Sequence, residues 1–317
     1  MKWDYRFSMK VDFDCPDKDL EFIRQLGVEL VYTWLPAENH TMAELTAFQE
    51  RLQNFGLTLH NVLSGRVAKN AAIHLNLPGR DGAISDFMDF LRMLQNAGIK
   101  NTTFTWEPDH VWSSGRDGVT RFSKTRYVSS DDLRARPLNH GREYSREELW
   151  ENFEYLMKKI IPVAEETGVR LALHPNDPPV EFPIAGVPTL IRSYEDYKRA
   201  FKIADSKMLG MEFCCGCWLE GGESFGNILE NLAEFVDDNR VIVVHFRNIS
   251  SPLPDFSETY LDNGFFDMRK PMDVLRKHGY SGTITLDHTP EMVDGPEKFA
   301  PRAYAIGYMR ALAEREF

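Results

Sequence analysis

Four stretches of this chain run apolar or β-branched and then end on a metal-binding side chain: Leu171-Ala172-Leu173-His174, Met211-Glu212-Phe213-Cys214, Ile242-Val243-Val244-His245 and Ile284-Thr285-Leu286-Asp287. Their ends lie about 30 to 40 residues apart, one strand plus one helix each, so all four can meet at one rim of a parallel barrel. Side chains in a strand alternate between faces, and the outward face of a barrel packs on helices and must be apolar. The outward phase predicts Leu171, Leu173, Met211, Phe213, Ile242, Val244, Ile284 and Leu286, every one of them apolar. The inward phase holds Arg170, Ala172, Gly210, Glu212, Val241, Val243, Thr283 and Thr285, and each candidate ligand continues it. The same parity selects Cys214 over Cys215. His174, Cys214, His245 and Asp287 are therefore a candidate divalent-metal site, and their mixed donors suit a first-row ion better than magnesium or calcium. Taken singly, each has a plainer reading: a hydrogen-bonded core histidine, a cysteine used as a small hydrophobe, an aspartate capping a helix.

Strand and helix signals alternate along the whole chain, which predicts a single (β/α)8 TIM barrel over residues 1–317. Strands are expected at 5–11, 30–33, 57–63, 101–105, 169–173, 208–213, 241–244 and 283–286. Capping patterns open two of the helices, Thr41 before Glu44 and Ser145 before Glu148. Gly27, Gly56, Gly98, Gly168 and Gly279 fall where left-handed helix ends are expected before the next strand. Two stretches break the rhythm. Residues 107–144, after the fourth strand, are rich in Gly, Ser, Arg and Asp and are expected to be a lid or substrate loop. Residues 175–189 carry five prolines and stiffen the loop after His174.

A formal net charge of −11 argues against nucleic acid or an anionic membrane surface as the main partner, while leaving room for an anionic small molecule met by a local arginine. No apolar run approaches the ~20 residues of a membrane span, and Met1-Lys2-Trp3-Asp4 lacks the pattern of a signal peptide. A cytoplasmic location is the default expectation. With Cys214, Cys215 and Cys217 clustered and Cys15 remote, the four cysteines are expected to be reduced. No glycine-rich nucleotide motif stands between a strand and a helix, so a nucleotide cofactor is not expected.

Leu173-His174-Pro175-Asn176-Asp177-Pro178-Pro179, Phe213-Cys214-Cys215-Gly216, His245-Phe246-Arg247-Asn248, Asp267-Met268 and Asp287-His288 with Met292 resemble, in order, the signatures of the mannonate dehydratase family. The likeness extends upstream to Leu77-Pro78-Gly79-Arg80-Asp81 and downstream to Tyr304-Ala305-Ile306-Gly307. It implies a xylose-isomerase-like barrel that binds manganese or iron at His174, Cys214, His245 and Asp287. It also implies dehydration of D-mannonate to 2-keto-3-deoxy-D-gluconate in hexuronate breakdown, and a homo-oligomer. Four positions depart from the family pattern. Asn176 replaces an acidic residue, Pro290 a second histidine after the metal-binding aspartate, Trp34-Leu35-Pro36 a histidine-bearing loop, and Cys217 a serine. All four are expected in the pocket, where they bear on the substrate more than on the fold.

Dehydrating a 2,3-dihydroxy acid requires removal of a weakly acidic proton beside a carboxylate and expulsion of the neighbouring hydroxide, so a Lewis acid and a pair of proton-transfer groups are needed. His288, adjacent to a candidate ligand, is the expected proton carrier, and Tyr304, which matches the family's downstream tyrosine, its partner; helix capping and helix packing are their structural alternatives. Arg247 continues the phase of His245 and suits a forked grip on a carboxylate, unless it pairs with Asp262 or Asp267. Asn176 and Asp177 are expected to orient His174 or bind sugar hydroxyls, and Arg170 with Glu212 to form a pair inside the barrel. Two other functions share this architecture: a sugar isomerase or epimerase, for which Cys214 is an unusual ligand, and a sugar-acid binder without catalysis.

Overall fold

The β-branched runs are strands, and they close on one another. The computed structural model describes residues 3–293 and 298–315. Its parallel barrel is built from β1 (Arg6–Lys10), β2 (Leu30–Leu35), β3 (Thr58–Ser64), β4 (Asn101–Thr105), β7 (Arg170–His174), β8 (Leu209–Cys214), β9 (Val241–Phe246) and β12 (Thr283–Leu286). Around the ring the order is β1, β12, β9, β8, β7, β4, β3, β2, so each barrel strand pairs with its neighbour in sequence and the last closes on the first. A helix follows each barrel strand: Asp17–Gln25, Met42–Asn54, Arg80–Asn96, Arg146–Thr167, Tyr194–Ala204, Ile228–Asp237, Arg269–Lys277 and Phe299–Glu314. This is a (β/α)8 barrel, and all eight strands lie where the sequence places them.

Local chemistry sets the helix boundaries. The Ser145 hydroxyl accepts from the Glu148 amide while the Glu148 carboxylate accepts from the Ser145 amide, a complete capping box. At the other end of that helix Gly168 turns the chain at φ +67°, a left-handed position that a side chain would disfavour. At the helix Met42–Asn54 the Thr41 hydroxyl accepts from the Glu44 amide and donates to the Glu44 carboxylate, a cap without the reciprocal backbone bond.

Two barrel pairs depart from simple alternation, β2–β3 at Val31/Tyr32 and β8–β9 among the strands that carry the candidate donors. Opposite β8, Met211 pairs with Val241 and Glu212 with Val243, so Ile242 is an extra residue in β9. The expected phase of this pair is therefore reversed. Val241 joins the outer core, while Ile242 packs with Ala172 and Val243 inside the barrel. Gly210 makes room for it, since a Cβ there would meet the Ile242 side chain at 2.7 Å. From Val243 onward the expected phase holds, and His245 faces inward.

The stretch after β4 is not an irregular loop. It forms a hairpin of β5 (Gly115–Thr120) and β6 (Ser123–Ser129), followed by a short helix, Ser130–Arg134. The hairpin joins β10 (Asn248–Ile249) and β11 (Asp255–Thr259) in a second, antiparallel sheet of order β10-β11-β6-β5. This sheet ties the segment after β4 to the segment after β9, both at the C-terminal rim. Among the described residues no helix is long and apolar enough to cross a membrane.

Candidate active site

The strand ends bring His174, Cys214 and His245 together, with their donor atoms within 4.8 Å of one another. Asp287 completes the group, its Oδ2 3.7 Å from His245 Nδ1 and 3.9 Å from Cys214 Sγ. Each donor is aimed by a neighbour. The carbonyl of Pro175 lies 2.7 Å from His174 Nδ1 and can only accept, so Nδ1 carries the proton and Nε2 keeps its lone pair. Glu212 Oε1 lies 2.6 Å from His245 Nε2 as an ion-pair contact, and both ring nitrogens of His245, Nδ1 included, are buried without a hydrogen-bond partner. Cys214 ends β8 and caps the helix Cys215–Gly221, where its sulfur accepts from the Cys217 amide.

Electrostatics favour a cation here. Burial opposes ionisation of the Cys214 thiol, but hydrogen bonding from Cys217, the Arg247 charge and the two imidazoles hold it well below its ordinary value. Asp287 is likewise held low against burial, by His288, His245 and Arg247. Burial also opposes protonation of His245, yet Glu212 and Asp287 draw a proton onto it. The anionic set that attracts protons to these rings will attract a divalent ion in their place. The orphaned Nδ1, the depressed thiol and the donor types all fit such an ion.

His288 points into the same space. Its Nδ1 is 2.8 Å from Glu258 Oε1, its Nε2 is 3.5 Å from Asp287 Oδ1, and its side chain is 48% exposed. The charges of Asp287 and Glu258 raise its pKa. The cavity above the donors has a volume of about 430 Å³ and is lined by His174, His245, Asp287 and His288 together with Tyr32, Trp34 and several cations.

The remaining sequence candidates stand elsewhere. Arg247 is 1% exposed and its two terminal nitrogens are engaged, with contacts to Asp177 (2.9 Å), Glu220 (2.6 Å), Glu258 (3.2 Å) and Asp287 (3.2 Å), while its Nε is buried without a partner. It has no free face for a substrate carboxylate, and neither Asp262 nor Asp267 is its partner. Gly216 lets it lie so close to the Cys215–Gly221 helix, because a Cβ there would overlap the guanidinium. Asn176 is buried and holds the loop, donating to Trp106 O and accepting from the amides of Leu190 and Ile191. Asp177 does reach the cavity lining, but its carboxylate is buried and both its oxygens are taken by Arg126 and Arg247. Tyr304, 40% exposed, lies in the last helix against Tyr260 and beside the Arg121–Asp262 pair, outside the cavity lining. Arg170 bonds the carbonyls of Lys207 and Asn239, so the expected pair with Glu212 does not form. Of the four departures from the family pattern, Trp34 lines the cavity; Asn176, Cys217 and Pro290 do not.

Several residues that sequence reasoning missed complete the site. Arg126 and Glu258 come from the second sheet and face each other at 3.0 Å. Burial opposes ionisation of Glu258, but His288, Arg247 and Arg126 bring its pKa down to about 2. Glu220 is fully buried under Arg247. Parity had marked only Glu212, as an inward carboxylate.

Comparison with known proteins agrees with this geometry. The sequence profile of the D-mannonate dehydratase (UxuA) family matches residues 129–315, more than half of the chain. The chain belongs to the D-mannonate dehydratase family. Among relatives, a mannonate dehydratase of Enterococcus faecalis is 27% identical and the match covers 99% of this chain and 98% of that one. The crystal structure of a mannonate dehydratase from Streptococcus suis superimposes with a TM-score of 0.88 at 25% identity, covering 98% of this chain and 93% of that one. D-Psicose 3-epimerase from Clostridium cellulolyticum shares the barrel at a TM-score of 0.65 and 14% identity, covering 98% of this chain and all of that one, a likeness of fold alone. Within the family frame, the four donors described above occupy the motifs that carry the resemblance.

Proposed function

We propose that this protein is a hydro-lyase that dehydrates D-mannonate to 2-keto-3-deoxy-D-gluconate, using Mn2+ or Fe2+ held by His174, Cys214, His245 and Asp287. The observation that carries the reading is the convergence of these donors at the floor of a cavity, in a chain of this family. When bound, the ion supplies Lewis-acid stabilisation of the negative charge that develops on the substrate's oxygens. His288 supplies the proton chemistry: Glu258 fixes Nδ1, and Nε2 is left to hold or move a proton at the cavity wall. Tyr32 and Trp34 supply apolar walls that limit water beside the reacting carbons. Tyr304 has no part in this arrangement. The segment 107–144, with its hairpin, serves as the roof over the substrate. A cytoplasmic homo-oligomer is the form this reading expects.

The test is an assay of metal-stripped protein reloaded separately with manganese, iron, zinc and magnesium against a panel of aldonic acids, following formation of the 2-keto-3-deoxy product. Turnover of D-mannonate with manganese or iron is expected. Cys214→Ala should remove both bound metal and turnover, and His288→Asn should remove turnover while metal stays bound. Stoichiometric metal binding without product from any aldonate would overturn the reading in favour of a barrel that binds sugar acids without dehydrating them.

A further inference from the structure

An aldonate carries one negative charge, and the floor of the cavity is itself anionic, with Glu107, Asp177, Glu212 and Asp287 in its lining. Arg247, at the strand ends, is buried, and its two terminal nitrogens are engaged by carboxylates. Four other cations line the cavity: Lys10, Lys69, Arg116 and Lys298. Three of them have carboxylate partners, Lys10 with Asp12 at 2.8 Å, Lys69 with Glu107 at 3.0 Å and Lys298 with Glu291 at 3.7 Å. Arg116 has no hydrogen bond, ion pair or ring contact to any described residue. It also lines the adjoining outer cavity of about 590 Å³ together with His288, so it stands where the two spaces meet.

The backbone is built to hold Arg116 there. Gly115 pairs with Tyr127 and Gly118 with Thr125, so β5 carries one residue more than β6 between these pairs, a bulge containing Arg116 and Asp117. Glycine is needed on both sides. A Cβ on Gly115 would lie 2.9 Å from the Tyr127 ring, and one on Gly118 would lie 2.8 Å from Tyr127 Cβ and 2.9 Å from Ser257 Oγ. Bulges of this kind re-aim a side chain beside active sites. Here the re-aimed residue is a planar, permanently charged donor fork, the group best matched to a carboxylate.

We infer that Arg116 is the carboxylate-recognising residue of this site, the specificity determinant that separates sugar acids from neutral sugars and polyols. The inference rests on the sugar-acid reading above and names the residue that enforces it. Substrate arriving at the barrel mouth exchanges hydration of its carboxylate for the unpartnered guanidinium, at no cost in existing protein ion pairs.

The experiment is calorimetric titration of the manganese-loaded protein with D-mannonate, D-gluconate and the neutral polyol D-mannitol, in the wild type and in Arg116→Gln, Arg116→Lys and Lys124→Gln. Charge-assisted hydrogen bonds of this kind predict aldonate binding weakened about tenfold or more in Arg116→Gln and partly recovered in Arg116→Lys. Lys124, an exposed cation of the same hairpin that lines the outer cavity alone, should change aldonate binding less than about twofold. D-Mannitol should bind all variants equally weakly. In turnover, Arg116→Gln should raise KM for D-mannonate more than it lowers kcat. Because Arg116 is exposed and unpartnered, its variants should melt with the wild type. Aldonate affinity unchanged in Arg116→Gln would overturn the inference. Arg116-dependent aldonate binding without wild-type turnover would instead sink the dehydratase reading and leave the carboxylate clamp standing.

Discussion

The barrel rim and the sheet laid over it meet at one site but are built by opposite logic. On the rim, each of four strands delivers one donor at its end, and the donors meet because the barrel closes. In the second sheet, β5 and β6 come from the stretch after β4, while β10 and β11 come from the stretch after β9, and they pair across more than a hundred residues of chain. The rim gathers the side chains proposed to hold the metal. The sheet gathers the countercharges, Arg126 and Glu258, that fix Asp177, Arg247 and His288. Ligand placement thus follows from a repeating local pattern, whereas the tuning of those ligands follows from one non-local junction, and Arg247 is where the two meet.

Removing that junction should have the largest effect. Arg247→Met leaves Asp177, Glu220 and Glu258 buried with one cation fewer, and stripping one partner from a buried ion pair costs about 3–5 kcal/mol. Urea unfolding should report a loss of that size with an unchanged m-value. A loss under about 1 kcal/mol would mean that the sheet docks on the rim without Arg247 and would break the division of labour drawn here.

The same contrast explains what could be read from the sequence. All eight barrel strands, and the strand-end positions of the four side chains proposed to hold the metal, follow from periodicity, because one face of each strand must be apolar wherever the barrel closes. The bulge at Ile242 was illegible: two neighbouring aliphatics, Val241 and Ile242, serve either face equally well, and register alone decides between them. The phase of Arg247 was legible but its role was not, since the partners that consume its donors sit on β11 and on the helix Cys215–Gly221. Arg126 and Glu258 lie in strands whose alternation looks like that of any half-exposed hairpin. Tyr304 matches the motif yet lies outside the cavity lining, because a motif match gives a position in the chain and not a direction on a helix.

A smaller effect should appear on acidification, at the root of the insertion. His74 is buried and packs tilted against Trp106 with ring centroids 4.3 Å apart. Burial, helped by the charge of Lys69, lowers its pKa from 6.5 to about 3. A histidine kept neutral when folded contributes fully above its unfolded pKa, and that contribution falls away as pH drops from 6.5 toward 3. The slope is about 1.4 kcal/mol per pH unit, or on the order of 2 kcal/mol by pH 5. Urea unfolding at pH 7.5 and pH 5 should show this loss in the wild type and a shallower one in His74→Phe. Equal slopes in the two proteins would remove His74 as the acid-sensitive seat of the insertion. His60, lowered by burial to about 4 inside the barrel, adds a second and similar limb that the His74 variant retains.

The smallest effect tests the division directly, by neutralising one carboxylate from each region. Glu212 belongs to the rim and lies 2.6 Å from His245 Nε2, so it sets which nitrogen of that ligand stays free. Glu258 belongs to the sheet and holds His288 Nδ1 at 2.8 Å. Outer partners of metal ligands are worth about 10–100-fold in metal affinity, and Glu212→Gln should lie near the tenfold end, ~1.4 kcal/mol, because the amide keeps an oxygen beside Nε2 while losing the charge. Glu258→Gln should leave manganese affinity within about twofold and lower turnover instead, since its hold is on the proton carrier. Chelator-competition titration of manganese with both variants at one pH decides the matter. If Glu258→Gln weakened the metal as much as Glu212→Gln did, the sheet would tune the metal donors as well as the proton carrier, and rim and sheet would have to be treated as one electrostatic unit.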